Sequence, residues 1–243
     1  MRIVFMGSAG FACHSLDAIA SRGTDEIAAV VTQPDRPKGR NLETSACPVK
    51  SHLAARGVKI FTPENVNSPY SLTSLAALKP ELCVVVAYGQ ILKSGLLQLP
   101  PRGCVNLHAS LLPKYRGAAP IAWAIARGES VTGVTTQFIN EKMDAGDIIF
   151  QRSTLIQGDD TAQTLHDRLA RMGAELLMET LEAVRNGSAP RRPQDHAEAT
   201  LAPKLKKEDG RIDWRMNAAE ICNRIRAFNP WPGAWCEIPR DSK

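Results

Sequence analysis

The stretch Leu82 to Ala87 carries the run Val84-Val85-Val86, and no other segment restricts the fold as much. Successive side chains of a strand point to opposite faces, so this strand is apolar on both sides, as the centre of a parallel sheet covered by helices requires. The start of the chain agrees. Arg2 to Met6 is a β-branched and aromatic run stopped by Gly7, Phe11 to Ser21 has helical spacing, and Ile27 to Thr32 reads as a second buried strand. Together they form a βαβ opening.

The alternation continues along the chain. An irregular Pro/Gly-rich loop is predicted over Gln33 to Pro48, then a helix to Arg56, a short strand Val58 to Phe61, and a helix near Ser71 to Leu78. Beyond the valine run come a strand Cys104 to Leu107, a helix Ala118 to Ala126, and strand-like runs Val131 to Ile139 and Asp147 to Leu155. A long helix from Thr161 to Arg185 sets Leu165, Leu169, Met172, Leu176 and Val184 on one face, and Gly187 closes it. Pro190 to Pro203 reads as a linker. Strands alternating with helices predict an α/β fold with a doubly wound, mostly parallel sheet.

At 243 residues and 44% hydrophobic content the chain can bury a sizeable core. There is no apolar run of about eighteen residues, and Met1 leads straight into a strand, so neither a membrane span nor a signal peptide is read. Cys13, Cys47, Cys83, Cys104, Cys222 and Cys236 form no C-x-x-C pair and fit reduced thiols of a cytoplasmic protein. The five histidines are equally dispersed, which argues against a metal. The net charge of +5 is a mild basic bias, compatible with a polyanionic partner and also with a solvated surface.

Chemistry concentrates in Asn106-Leu-His108-Ala-Ser110-Leu-Leu-Pro113 and in Met143-Asp144-Ala-Gly-Asp147. An amide can donate to a developing oxyanion, an imidazolium can donate or supply a proton, and a carboxylate can hold the imidazole charged. Acyl-type transfer would then need no covalent nucleophile. Asn106 and His108 fall where ligands bind in such sheets, at the carboxyl end of a strand. A nicotinamide enzyme is disfavoured, because Gly7-Ser-Ala-Gly10 lacks the G-x-G-x-x-G spacing and no acidic residue closes the second strand.

Along nearly its whole length the chain resembles the methionyl-tRNA formyltransferases, and more distantly other 10-formyltetrahydrofolate-dependent formyltransferases acting on glycinamide ribonucleotide or amino sugars. The shared core is Asn106-Leu-His108-x-Ser110-Leu-Leu-Pro113-x-Tyr115-Arg-Gly117 with Asp144-x-Gly146-Asp147. Thr32-Gln-Pro-Asp-Arg-Pro-Lys-Gly-Arg40 and Lys204-Leu-Lys-Lys-Glu-Asp-Gly-Arg-Ile-Asp-Trp214 single out the tRNA-specific members. Ile225-Arg-Ala-Phe-Asn-Pro-Trp-Pro-Gly-Ala-Trp235 is shared more loosely.

The resemblance implies a Rossmann-like formyltransferase fold, with 10-formyltetrahydrofolate as cosubstrate and no metal. The acceptor would be methionyl initiator tRNA, and the enzyme a monomer without membrane attachment. Asn106, His108 and Asp144 would be catalytic. Ser110, Leu111, Leu112 and Pro113, with Tyr88, Gly89, Gln90, Ile91 and Leu92, would contact the folate. Arg36, Lys38 and Arg40 would contact nucleic acid. The implied division is a catalytic domain over 1–189, a linker over 190–216, and from 217 the start of an OB-like tRNA-binding domain that is cut short at Lys243, so that weak formylation of tRNA is expected. Two alternatives stay open: a formyltransferase acting on a nucleotide amino sugar, and a noncatalytic RNA-binding module.

Overall fold

The computed structural model describes residues 1–38, 43–54 and 56–237. The strands are β1 (Arg2–Gly7), β2 (Glu26–Val31), β3 (Arg36–Lys38), β4 (Glu43–Ser45), β5 (Ile60–Phe61), β6 (Leu82–Val86), β7 (Cys104–His108), β8 (Val131–Phe138) and β9 (Ile148–Leu155). The helices are α1 (Phe11–Arg22), α2 (Pro48–His52), α3 (Pro69–Ala76), α4 (Ser94–Leu97), α5 (Pro120–Ala126), α6 (Ala162–Arg185) and α7 (Ala218–Ala227). Seven strands form one sheet in the order β5-β2-β1-β6-β7-β8-β9. The first five run parallel, and β8 and β9 are added antiparallel at the β7 edge.

Both faces of the sheet are covered, as the valine run requires. Ile3 and Phe5 of β1, with Val84 and Val86 of β6, pack into a layer containing Leu16 and Ile19 of α1 and Leu165, Leu169 and Leu176 of α6. Val4, Met6, Cys83 and Val85 face the other way, against Leu75 of α3 and Leu96 of α4. The period-two alternation within each strand therefore divides one sheet between two cores. No helix among the described residues is long and apolar enough to cross a membrane.

Two sequence expectations are modified. The loop after β2 holds a two-stranded hairpin, with Arg36 opposite Ser45. α2 stops at His52 and not at Arg56, because the next amides fall back three residues, Ala54 to Ser51 and Arg56 to Leu53, before the left-handed Gly57.

The C-terminal third is tied to this framework at the start of α6. Thr161 caps the helix by accepting from Thr164 N. Asp160, beside the cap and buried, accepts from both Nη atoms of Arg168 and from Gln157 N at 2.7 Å. Its carbonyl and that of Gln157 each receive Arg226 Nη1 of α7 at 3.0 Å. α7 also packs on α5, where Phe228 meets Trp123 edge to face at 5.9 Å.

Burial alone would raise the Asp160 carboxyl, but the Arg168 fork and the Gln157 amide outweigh it and hold the group below its ordinary value. A depressed folded value means stability present above the unfolded pKa, about 3.9, and lost as the pH falls through the lower folded value. Asp160→Asn is expected to cost about 1–3 kcal/mol at pH 7. Urea denaturation of both proteins should show that gap closing as the pH falls below about 4, and equal stability at pH 7 would exclude the role.

Candidate active site

Because β1, β6 and β7 are parallel, their carboxyl ends share one edge of the sheet. A cavity of about 730 Å³ opens there, walled by Ala9 and Phe11 after β1, Ala87 to Leu92 after β6, Asn106 to Ala109, and Ile139 to Gly146. In the turn after β1 the amides of Ser8 and Ala9 both donate to the Ala87 carbonyl, at 3.2 and 3.3 Å. Ala87 (φ 47°) and Gly89 (φ 89°) are left-handed, which turns the backbone around Tyr88 sharply at the cavity wall. Ile91 is 71% exposed at this wall, whereas Leu92 is buried and fills the core.

Asn106 and His108 lie two residues apart on β7 and therefore on one face. Asn106 pairs across the strands with Gln137 of β8, and His108 with Thr135. His108 is buried, and its Nε2 lies 2.9 Å from the Tyr115 carbonyl. A carbonyl only accepts, so Nε2 carries the proton and Nδ1 is the nitrogen turned to Asp144, 3.6 Å from Oδ1.

Asp144 is held unequally at its two oxygens. Oδ2 receives the Gly117 amide at 2.8 Å. Oδ1 is approached by Gln137 Nε2 at 3.3 Å, Asn106 Nδ2 at 3.5 Å and His108 Nδ1 at 3.6 Å. One oxygen is fixed, and the other sits loosely among three nitrogens where a further proton can reach it. The carboxylate can therefore take a proton while its neighbours donate to an adjacent oxygen.

The glycines of both motifs follow from packing. A side chain at Gly146 would collide with the Phe138 carbonyl, and Gly117 (φ 122°) would drive one into the Ala202 carbonyl. The first approach folds the Asp144 loop back on the end of β8, and the second seats the Tyr115–Gly117 turn against Ala202.

The proposed folate segment divides. Tyr88, Gly89, Gln90, Ile91 and Leu92 line the cavity, whereas Ser110, Leu111, Leu112 and Pro113 do not. Ser110 is fully buried, its hydroxyl donates to the Lys114 carbonyl at 2.6 Å, and its carbonyl accepts from Thr135 Oγ1. The Leu112 amide donates to Thr135 Oγ1, and its carbonyl accepts from Gln151. These four residues build the turn that brings the Tyr115 carbonyl to His108.

Of the basic loop, Arg36 is ion-paired with Glu64 at 3.1 Å on the surface, Lys38 ends β3, and Arg40 lies outside the described residues. The fold adds Gln137 and Gln194 to the site, and gives Arg116, present in the shared motif, a place behind them. A glutamine in an otherwise apolar or hydroxylated strand was a usable signal for the first. Nothing local marked Gln194, fifty residues from Asp144 in the chain.

Comparison with known proteins gives the family. The sequence matches the Formyl transferase family over residues 1–181 and the Formyl transferase, C-terminal domain, over residues 204–243. Methionyl-tRNA formyltransferases of Moorella thermoacetica and Caldanaerobacter subterraneus are 52% identical over 235 residues and 51% identical over 236. Each alignment covers 97% of this chain, and 75% and 76% of the relative, so the chain spans about three quarters of their length.

Among solved structures, an N-formyltransferase from Helicobacter canadensis in complex with folinic acid and dTDP-3-aminofucose aligns with a TM-score of 0.73 at 21% identity, over 94% of this chain and 80% of that one. HypX from Aquifex aeolicus in complex with tetrahydrofolic acid aligns at 0.70 and 20% identity, over 98% of this chain and 36% of that one. At such identities the likeness speaks for the fold. The sequence matches speak for more: the chain belongs to the methionyl-tRNA formyltransferase family.

Proposed function

We propose that this chain transfers the formyl group of 10-formyltetrahydrofolate to the α-amino group of methionyl initiator tRNA, with Asn106, His108 and Asp144 as the catalytic residues. The observation that carries the reading is the convergence of three side-chain nitrogens on one loosely held oxygen of Asp144, at the wall of a large cavity.

The cavity suits a flat heterocycle. Ile91, Leu92, Val85 and Ile139 supply apolar wall, and the segments Tyr88 to Leu92 and Asn140 to Asp144 line the same cavity. The cosubstrate supplies an activated formyl group; the chain supplies positioning and charge. Asn106 Nδ2 donates to the formyl oxygen as negative charge gathers there, joined by His108 through Nδ1, the nitrogen not engaged by the Tyr115 carbonyl, when both ring nitrogens carry protons. Asp144 Oδ1 takes the proton from the attacking amine, directly or through water, as the new C–N bond forms. That proton is then available to the departing folate nitrogen, so charge and atoms balance without a covalent enzyme intermediate.

The acceptor would approach over the carboxyl edge of the sheet. The hairpin bearing Arg36 and Lys38 follows β2, whose carboxyl end lies at the same edge, and the next basic residue in sequence is Arg40. We assign these three residues to the nucleic-acid side of the site, where a guanidinium or ammonium can meet phosphate. The working context is a monomer in the cytoplasm.

His108→Ala and Asn106→Ala are each expected to lower kcat by about 10²–10³ in a formyl-transfer assay with methionyl initiator tRNA, with folate binding retained. Full turnover in His108→Ala would sink the assignment. Offered in parallel, a nucleotide amino sugar should receive no formyl group, and preferential transfer to the sugar would replace the tRNA reading.

A further inference from the structure

We propose that Gln194, held from behind by Arg116, is the positioning residue that sets Asp144 for proton transfer. The inference rests on the assignment of Asp144 as the proton acceptor.

Gln194 belongs to the irregular segment after α6 and is 7% exposed. Its Nε2 lies 2.7 Å from the Gly146 carbonyl, 3.0 Å from the Asp144 carbonyl and 3.1 Å from Gln137 Oε1. Two of these belong to the loop that carries the carboxylate, and the third to the side chain whose Nε2 approaches Asp144 Oδ1. One amide thus grips Asp144 from its backbone and from its carboxylate partner.

The grip has a physical purpose. Asp144 is left-handed (φ 49°), a conformation that costs a non-glycine residue about 1 kcal/mol or more and persists only when its surroundings fix it. The Gly117 amide fixes Oδ2, and Gln194 fixes the backbone. With both ends held, Oδ1 has little freedom to swing away.

Arg116 fixes Gln194 in turn. It is 9% exposed, and its Nε and Nη2 donate to Gln194 Oε1 at 3.1 and 2.6 Å, while Nη2 also meets His196 Nδ1 at 3.0 Å. The guanidinium fork forces the acceptor end of the amide toward itself and so aims the NH2 at the two loop carbonyls. A carboxylate at 194 would keep the Arg116 contact and oppose both carbonyls; an apolar side chain would serve neither side.

The test compares wild type, Gln194→Ala, Gln194→Glu, Asp144→Asn and the double variant Asp144→Asn/Gln194→Ala in the full chain. Transfer to methionyl-tRNA, KM for tRNA, binding of 5-formyltetrahydrofolate and thermal unfolding are measured for each. Both Gln194 variants should lose about 10- to 100-fold in kcat, with folate affinity and KM within about twofold of wild type. Gln194→Glu keeps volume and the Arg116 contact but turns an acceptor to the two carbonyls, and Gln194→Ala removes the donor without adding charge, so a loss common to both is tied to the donor arm. Adding Gln194→Ala to Asp144→Asn should cost nothing further, because both act through one carboxylate. Wild-type kcat in either Gln194 variant, multiplying losses in the double variant, or unfolding of both single variants would overturn the inference, the last because the role would then be structural. Wild-type turnover in Asp144→Asn would overturn the underlying reading of the site instead.

Discussion

The parallel pairing of β1, β6 and β7 is the constraint from which the rest of the molecule follows. Parallel ladders put all three carboxyl ends at one edge, and their apolar faces demand cover on both sides. The helices that provide this cover leave the edge open, and the cavity forms there. A single carbonyl, that of Ala87, takes both amides of the first turn and ties β1 to β6 at that opening. The same bonds engage two amides of the first turn within the protein itself.

Electrostatics at the site are arranged around one carboxylate with few formal charges. Asp144 faces neutral donors from Gly117, Asn106 and Gln137, with His108 the titratable neighbour. The nearest buried cation is Arg116, one layer behind. Burial disfavours its charge and the negative charge of Asp144 favours it, with burial the larger effect, so the guanidinium sits below its ordinary value and still carries its proton. A cation placed there can support the negative charge of the carboxylate while keeping its own proton.

What could be read from the sequence was what repeats or what is local. Strand and helix positions followed from period-two and period-3.6 patterns, and most ends differ by a residue or two, as at β7, which runs on to His108, with the end of α2 four residues short of expectation. The hairpin within 33–48 was missed because its three-residue strands offer too little alternation to register. Asn106, His108 and Asp144 were found by type and context. Ser110 to Pro113 look the same in sequence as a ligand-binding turn, and the fold adds that the Ser110 carbonyl and the Leu112 amide and carbonyl are bonded to Thr135 and Gln151 from other strands.

The sequence by itself determined the layered α/β architecture, the family and the three chemically able side chains, because each rests on residue type and short-range spacing. Tertiary structure alone decided which oxygen of Asp144 the Gly117 amide holds, which nitrogen of His108 faces the other, and that Gln137, Arg116 and Gln194 belong to the same site. Those facts depend on strands meeting in antiparallel register and on a segment after α6 folding back over the loop, contacts between residues up to 78 positions apart that leave no periodic trace in the chain.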